Sequence, residues 1–519
     1  MTIAPDQREV VAFLGSGAAF PGGGPVERVD THGAHVFLSG DVALKLKRAV
    51  TYDYMDLGSP DQRRRMLERE LELNAPAAPS IYRDVLPVTQ GPAGPELGGA
   101  GAAVDWVLRM NRFPAKDELE AVAARGALDG RLAAQIGRMV RAYHAACPVR
   151  RADGGQLIRA ILDELGRVFA EFPAAPGTEQ VADWAAACRA ALGRTTPLLT
   201  ARGASGHVRR GHGDLHLRNI VLIGGRPVPF DALEFDETLG TCDVLYDFAF
   251  LLMDLGHREL HEAASSALAE YLLAARGSED AGLPAMPLFL SVRAAIRAMV
   301  LLQTDRARDV PRASAAEIAR YLGQAVAALR PAPAQLIAVG GVSGTGKTAL
   351  ARALAPGLGL PPGAVHLSTD AERKAAAGLA ASQHLPDAAY AAAAREGVYD
   401  ALFARTRVLL DSGYSVVLDG TFLNAAKRNE AARLGAAAGV PFAGLWLTAP
   451  MPVLEARIAA RRGDASDADI AVLHRQLAGD HGAKGWEPVD ASGSPDEVAK
   501  AARAALVRNF AREAPIRLP

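Results

Sequence analysis

Cysteine is scarce: Cys147, Cys188 and Cys242 are the three in 519 residues. They are odd in number, widely spaced and without a CxxC pair. This excludes a disulfide or zinc framework and reads as buried apolar residues in a reducing compartment. Charge of one sign is lacking as well. Lys+Arg 57 against Asp+Glu 58 leaves −1, so no global field drives the chain towards nucleic acid or a membrane, although a local basic groove is not excluded. No uninterrupted apolar run reaches the roughly 18 residues of a membrane span. The opening residues, Met1-Thr2-Ile3-Ala4-Pro5-Asp6, lack the basic region and apolar core of a signal peptide. The expected location is the cytoplasm. No aromatic-studded basic groove argues for nucleic acid. What remains is an apolar content of 50% with 22% charged residues, an ordinary globular composition, and a length that predicts roughly two to four domains with cores of their own.

One stretch organises the first part: His212-Gly213-Asp214-Leu215-His216-Leu217-Arg218-Asn219, running into the apolar strand Ile220–Ile223. An Asp and an Asn five residues apart on one loop suit phosphoryl transfer. Asp214 can accept a proton from an attacking hydroxyl, and the Asn219 oxygen can ligand Mg²⁺ beside ATP phosphates. Gly224-Gly225 makes a hairpin turn, because glycine tolerates positive φ. The returning strand delivers Asp231 beside the same loop, a second oxygen ligand for hard Mg²⁺. These residues resemble the catalytic loop of the aminoglycoside phosphotransferase family, relatives of the protein kinases. The resemblance is specific at these motifs and diffuse over the rest of residues 1–330.

It implies an α+β bilobal protein-kinase-like domain, with an N-lobe at about 27–110 and a C-lobe at about 111–330. Strands 35–38 and 42–47 flank Ser39-Gly40-Asp41, a hairpin signature, and Lys45 and Lys47 share one face of the second strand. The resemblance makes Lys45 the ATP lysine, with Lys47 as the alternative. Pro60 to Asn74 reads as a helix whose Glu70 would pair with that lysine, although Glu68 and Glu72 lie close by. Thr31-His32-Gly33-Ala34 would lie over the phosphates. The run 103–110 reads as a buried strand and is followed by helices at 129–147, 155–172 and 178–192. The acidic loop Glu234-Phe235-Asp236-Glu237 reads as a solvated turn, with contact to a cationic substrate as the alternative. Thr241 or Asp243 caps a helix at 244–255, in which Asp247 buttresses the catalytic loop. Further helices run to about Leu329, with Arg293, Arg297 and Arg306 as solvated or paired charges.

After a Pro-containing linker, 331–334, the pattern changes. Gln335–Val339 reads as a buried parallel strand running into Gly341-Val342-Ser343-Gly344-Thr345-Gly346-Lys347-Thr348 and then a helix. This is GxxxxGK[ST] in its required strand–loop–helix setting. The loop glycines let backbone N–H groups, those of Ser343 and Thr345 included, surround a phosphate, Lys347 neutralises β/γ oxygens, and the Thr348 hydroxyl ligands Mg²⁺. Val365–Asp370 reads as a strand ending in a carboxylate that can serve as base, with Arg373 one helical turn on to hold an anion. Ser415–Asp419 reads as a second such strand, placing Asp419 near Mg²⁺. Arg457 and Arg461 share a face of a helix at 451–462, a lid whose arginines stabilise charge on the moving phosphoryl group.

The stretch 335–510 resembles the P-loop small kinases, which include polynucleotide 5′-kinase and gluconate-kinase-like enzymes, through STDAER (368–373), LDGTFLN (418–424) and the lid RxxxR. It implies an α/β P-loop NTPase domain with a parallel sheet at 335–519, Asp370 as base and Arg373 as a substrate or phosphate contact. The two halves together resemble bacterial fusions of an aminoglycoside-phosphotransferase-like domain with a P-loop ATP-binding domain. The expected activity is a bifunctional ATP- and Mg²⁺-dependent phosphotransferase acting on small-molecule hydroxyl groups, with a nucleic acid end not favoured. Two alternatives stay open: only the P-loop half is catalytic, or the protein is a nucleotide-gated regulator.

Overall fold

Alternating apolar and polar residues build the first sheet. Strands β1 (Glu27–Asp30), β2 (Ala34–Ser39), β3 (Val42–Lys47), β6 (Tyr82–Gly91), β7 (Gly94–Leu97) and β8 (Ala103–Asn111) stand in the antiparallel order β1-β2-β3-β8-β6-β7. The ribbon β4 (Thr51–Tyr52) and β5 (Met55–Asp56) lies outside it. Phe37, Leu44, Leu46, Val88 and Val107 pack with Val10, Val11 and Leu14 of helix α1 (Arg8–Gly15). Lys45 and Lys47, at alternate positions, meet helix α2 (Pro60–Asn74) instead. Pro60 and a Ser59/Gln62 capping box start α2. Its buried residues, Arg63, Leu67, Glu70 and Asn74, recur at helical spacing, so three of the four are polar.

The computed structural model describes residues 7–52, 55–172, 180–310, 312–379, 383–386, 391–460, 466–479 and 485–513. The chain forms two compact units: Met1–Leu128 with Ala142–Ala152 and Gly203–Phe248, and Asp129–Arg141 with Asp153–Arg202 and Ala249–Pro519.

The first unit also holds the antiparallel pair β9 (Val208–Arg210) with β12 (Thr241–Asp243). The hairpin β10 (Ile220–Ile223) and β11 (Arg226–Pro229) turns on Gly224 and Gly225, at φ 56° and 75°. Helical segments follow in order: α3 (Leu119–Ala124), α4 (Gly130–Ala146), α5 (Gly154–Ala170), α6 (Val181–Ala204), α7 (Glu237–Gly240), α8 (Val244–His257), α9 (His261–Ala274), α10 (Met286–Ala307) and α11 (Ala315–Ala328).

Helix α6 outruns its expected end at Leu192 and continues through Pro197. The Thr195 and Thr196 hydroxyls donate to the Ala191 and Leu192 carbonyls within it. Asp280–Ala307 is long and apolar enough to cross a membrane, but Leu288, Phe289, Val292, Ala295 and Ala298 bury its apolar side in the core. Arg293 is buried there over the Phe250 ring, and Arg306 pairs with Glu171.

The remainder of the second unit is α/β. Strands β13 (Leu336–Gly340), β14 (Val365–Ser368), β15 (Val416–Asp419), β16 (Phe442–Thr448) and β17 (Glu487–Asp490) form one parallel sheet, ordered β14-β15-β13-β16-β17. Around it lie α12 (Lys347–Leu354), α13 (Thr369–Ala376), α14 (Ala392–Asp411), α15 (Ala425–Ala438), α16 (Met451–Ala460), α17 (Ile470–Leu477) and α18 (Pro495–Glu513). Ile337, Val339, Val417, Leu445 and Leu447 are fully or nearly fully buried, the continuous apolar signature of strands covered on both faces.

Strand β14 stops at Ser368, short of its expected end. Asp370 therefore sits in the first turn of α13, where a carboxylate is favoured by the helix dipole. Gly444 is fixed by sterics: a Cβ there would lie 2.4 Å from the Trp486 ring. Gly444→Ala is expected to cost about 1–3 kcal/mol, read as a lowered melting temperature, with secondary structure kept.

Candidate active sites

The first site is assembled by β3, α2, the loop after β9 and the turn after β11. Glu70 is completely buried, with one oxygen 2.7 Å from Lys45 Nζ and the other 2.7 Å from Lys47 Nζ. Lys45 Nζ also donates to Asp231 at 2.8 Å, and Lys47 Nζ to Glu234 at 2.5 Å. Burial alone pulls the Lys45 ammonium down. Asp231, Glu70 and Glu234 more than reverse this, so its pKa stands well above the ordinary lysine value. Asp231 shows the mirror effect: burial pushes it up, and Lys45 and Lys47 outweigh that and leave it below the usual carboxylate value.

Asp231 has φ 60°, a left-handed conformation uncommon for aspartate. Its N–H donates to the Tyr82 hydroxyl at 2.9 Å, and the next N–H, of Ala232, donates to Asn74 Oδ1 at 2.8 Å. These two contacts hold the carboxylate in its unusual setting. Such an outlier points to function where the surroundings over-determine it.

Asn219 Nδ2 donates to the Asp214 carboxylate at 3.0 Å and to the Asp214 carbonyl at 2.9 Å. This leaves Asn219 Oδ1 as the atom for a cation. The Asp214 side chain is 41% exposed, open to an acceptor, with His216 Nε2 3.4 Å from it. The hairpin joins the pieces: the Phe230 N–H donates to the Asn219 carbonyl at 2.9 Å, so Asn219 and Asp231 leave its open end together. The structure thus brings Asp214, Asn219, Asp231, Lys45 and Glu70 to one place.

Asp247 holds the loop from beneath. It is fully buried and accepts from the His212 and Gly213 N–H groups at 2.7 and 2.9 Å, with His144 Nε2 3.1 Å away. Asp243 is the residue that caps α8, accepting from the Leu245 N–H at 2.9 Å. Asp247→Ala strands two buried amides. It is expected to cost about 2–3 kcal/mol of unfolding free energy by urea titration and to lower any Asp214-dependent activity.

The acidic loop is not simply a solvated turn, because each of its carboxylates has a partner within the protein. Glu234 neutralises buried Lys47, Asp236 caps α7, and Glu237 binds Arg69, Arg150 and Arg210. Glu234 and Glu237 are engaged by cations from distant segments, which a local reading cannot supply.

In the second site the loop between β13 and α12 turns through Gly341, Gly344 and Gly346 at φ 143°, 86° and 87°, conformations that glycine alone adopts without strain. Thr345 Oγ1 donates to the Val342 carbonyl at 2.8 Å and locks the loop. Lys347 Nζ donates to that carbonyl at 3.0 Å, and the Ser343 N–H to Gln476 Oε1 at 2.7 Å. Thr348 Oγ1 donates to Asp419 Oδ2 at 2.6 Å, which puts together a hydroxyl and a carboxylate that would serve as oxygen ligands to Mg²⁺. Burial pushes Asp419 up, and His366, Lys347 and Thr348 together hold it below the usual value.

Asp370 pairs with Arg373 at 2.7 Å on α13. Nearby, the Tyr399 hydroxyl, its pKa raised chiefly by burial, accepts from the Phe422 N–H at 3.2 Å. The neighbouring Thr421 carbonyl accepts from the Gly341 N–H at 3.2 Å, tying this corner to the phosphate loop.

Arg457 is not a lid arginine here. Its guanidinium donates to the Ala491 and Gly493 carbonyls, at 2.7 and 3.0 Å, in the turn before α18. Helical spacing gave the face it occupies but not what stands opposite. Arg461 lies outside the described residues. Sequence reasoning missed His366, whose Nε2 stands 3.3 Å from Asp419. It also missed Tyr82 and Asn74. None carries a motif, and His366 alone was findable, as a polar residue inside a buried strand.

Two family models match the chain: a phosphotransferase enzyme family over residues 95–289 and an AAA domain over residues 336–479. An uncharacterized protein of Mycobacterium tuberculosis is 30% identical over 449 residues, covering 85% of this chain and 87% of the relative. Among solved structures, a gluconokinase from Sinorhizobium meliloti is 25% identical, covering 36% of this chain and 99% of its own, with TM-score 0.26. An aminoglycoside phosphotransferase from Streptomyces rimosus is 22% identical, covering 55% and 98%, with TM-score 0.33. The first matched family is one of phosphotransferase enzymes, and the fold class is kinase-like α+β followed by α/β P-loop with a parallel sheet. The chain belongs to a family of fused proteins in which an aminoglycoside-phosphotransferase-like domain precedes a P-loop small-kinase domain.

Proposed function

We propose that the protein is a cytoplasmic bifunctional kinase, each half moving the γ-phosphate of ATP to a hydroxyl of a small molecule. The observation that carries this reading is that both sites keep a complete set of chemistry. Each half carries a lysine for phosphate charge, oxygen donors for a metal and a partly exposed carboxylate. Asp214 and Asp370 are the bases, since each lies on an open loop or helix end and is poised by a hydrogen-bonding neighbour, Asn219 or Arg373. Lys45, oriented by Glu70, binds nucleotide phosphates in residues 1–330, and Lys347 with the surrounding N–H groups does so in residues 335–519.

The donor sets fit magnesium. Asn219 with Asp231, and Thr348 with Asp419, each offer one carboxylate and one neutral oxygen, the sparse set that suffices when phosphates complete the shell. Bound there, the ion would neutralise charge on the β- and γ-phosphates. The protein groups position the hydroxyl and remove its proton. Transfer from γ-labelled ATP to a library of alcohols, compared between wild type, Asp214→Ala and Asp370→Ala, tests the reading. Each substitution should abolish a distinct set of products. Transfer unaffected by either would defeat it and favour a nucleotide-gated regulator.

A further inference from the structure

Within the second unit, three charged residues meet away from either site. Arg405 of α14 forks onto Asp280, with Nε 2.8 Å from Oδ2 and Nη2 3.0 Å from Oδ1, while its Nη1 donates to Glu372. Its Nη2 also reaches the Leu272 carbonyl at 3.3 Å. The Asp280, Glu372 and Arg405 side chains are 1%, 8% and 11% exposed. A guanidinium buried this far must have its donors satisfied and its charge matched, and the planar fork fits two carboxylates at once.

The placement gives the triad a consequence. Glu372 lies on α13 between Asp370 and Arg373 in sequence, and its side chain turns to Arg405 while those of Asp370 and Arg373 meet each other. Asp280 lies within the segment matched by the phosphotransferase family, whereas Glu372 and Arg405 lie within the AAA-domain match. Helix α13 also packs against α9, from the same earlier segment, and against α14. Among the described residues, Asp280 and Glu372 are the two carboxylates paired with Arg405, and of these Glu372 alone lies in 335–519.

We infer that Arg405 is a positioning residue for the second site: it fixes the angle of α13, and hence Asp370 and Arg373, using Asp280 of the first half as its anchor. The P-loop half then depends on the kinase-like half for its catalytic geometry, which gives a physical reason for the fusion. This rests on the reading of Asp370 as the base.

The test uses the full chain. Arg405→Met should lower kcat for Asp370-dependent transfer about ten- to a hundredfold, the scale of a small misplacement of reacting groups. KM for ATP should stay within about twofold, because the phosphate loop is untouched. Asp214-dependent transfer should be unchanged, and amide hydrogen exchange should quicken in residues 369–376 before it does in β13. Arg405→Lys should recover part of kcat.

As breaking a buried triad can unfold a protein, the neutral set Arg405→Met with Asp280→Asn and Glu372→Gln is made as well. It should fold and still lose kcat at the second site. Wild-type kcat and unchanged exchange in 369–376 for the neutral set would overturn the inference, as would equal losses at both sites. If the wild type shows no Asp370-dependent transfer, the proposed activity fails, and the exchange data alone decide the role of Arg405.

Discussion

Asp214→Asn is expected to slow transfer at the first site by about 10²–10⁴-fold, the usual worth of a positioned general base. The substitution keeps size and shape and removes the ability to take a proton. The Asp214 carboxylate accepts from Asn219 at 3.0 Å, and an amide at 214 can still present an oxygen to that donor. The loop is held independently through Asp247, which binds the N–H groups of His212 and Gly213. Nucleotide affinity should therefore be little changed, and the loss should fall on kcat. Single-turnover transfer with the alcohol identified in the library experiment measures it. A decrease under about tenfold would mean that Asp214 is not the base.

Glu70→Ala is expected to produce the largest loss of stability, about 3–5 kcal/mol, because removing one partner of a buried ion pair leaves charge without compensation. Here one carboxylate serves two ammonium groups, each at 2.7 Å, and Glu70 and Lys47 are 0% and 5% exposed. Without it, Lys45 retains Asp231 and Lys47 retains Glu234, but the two like charges on one strand face lose the group between them. Chemical denaturation monitored by a probe in the first unit reads the change. A loss under about 1 kcal/mol would show that Asp231 and Glu234 alone carry both lysines. Glu70→Gln should be milder, since an amide oxygen can still accept from one lysine.

Much of this was legible because phosphoryl-transfer chemistry sits in contiguous stretches. His212–Asn219 and Gly341–Thr348 each hold several functional groups within one loop, so spacing alone brings them together. Asp231 was reached through a short hairpin whose register a Gly-Gly turn sets. Glu70 required choosing among three glutamates on one helix. Its register with Arg63, Leu67 and Asn74 picks it out, because only that face is buried.

The rest depends on partners far away in the chain. Arg63 binds Asp105 in a pair with both side chains 1% exposed. Gln7 reaches the same carboxylate at 2.8 Å across 98 positions. Neither contact leaves a local mark. Arg457 failed as a lid residue for the same reason: periodicity assigns a face, and the Ala491 and Gly493 carbonyls opposite it come from another element. Pro197 marks a helix end by local rules, yet α6 continues through it.

The central claim is that one chain holds two nucleotide sites, each beside a carboxylate base. The most direct measurement is the stoichiometry of binding of a non-hydrolysable ATP analogue with magnesium to the full chain, by calorimetry. The account predicts about two equivalents for the wild type, with Lys45→Met removing one and Lys347→Met removing the other. A single equivalent that Lys45→Met leaves intact would contradict it, and the kinase-like half would then not be a nucleotide site.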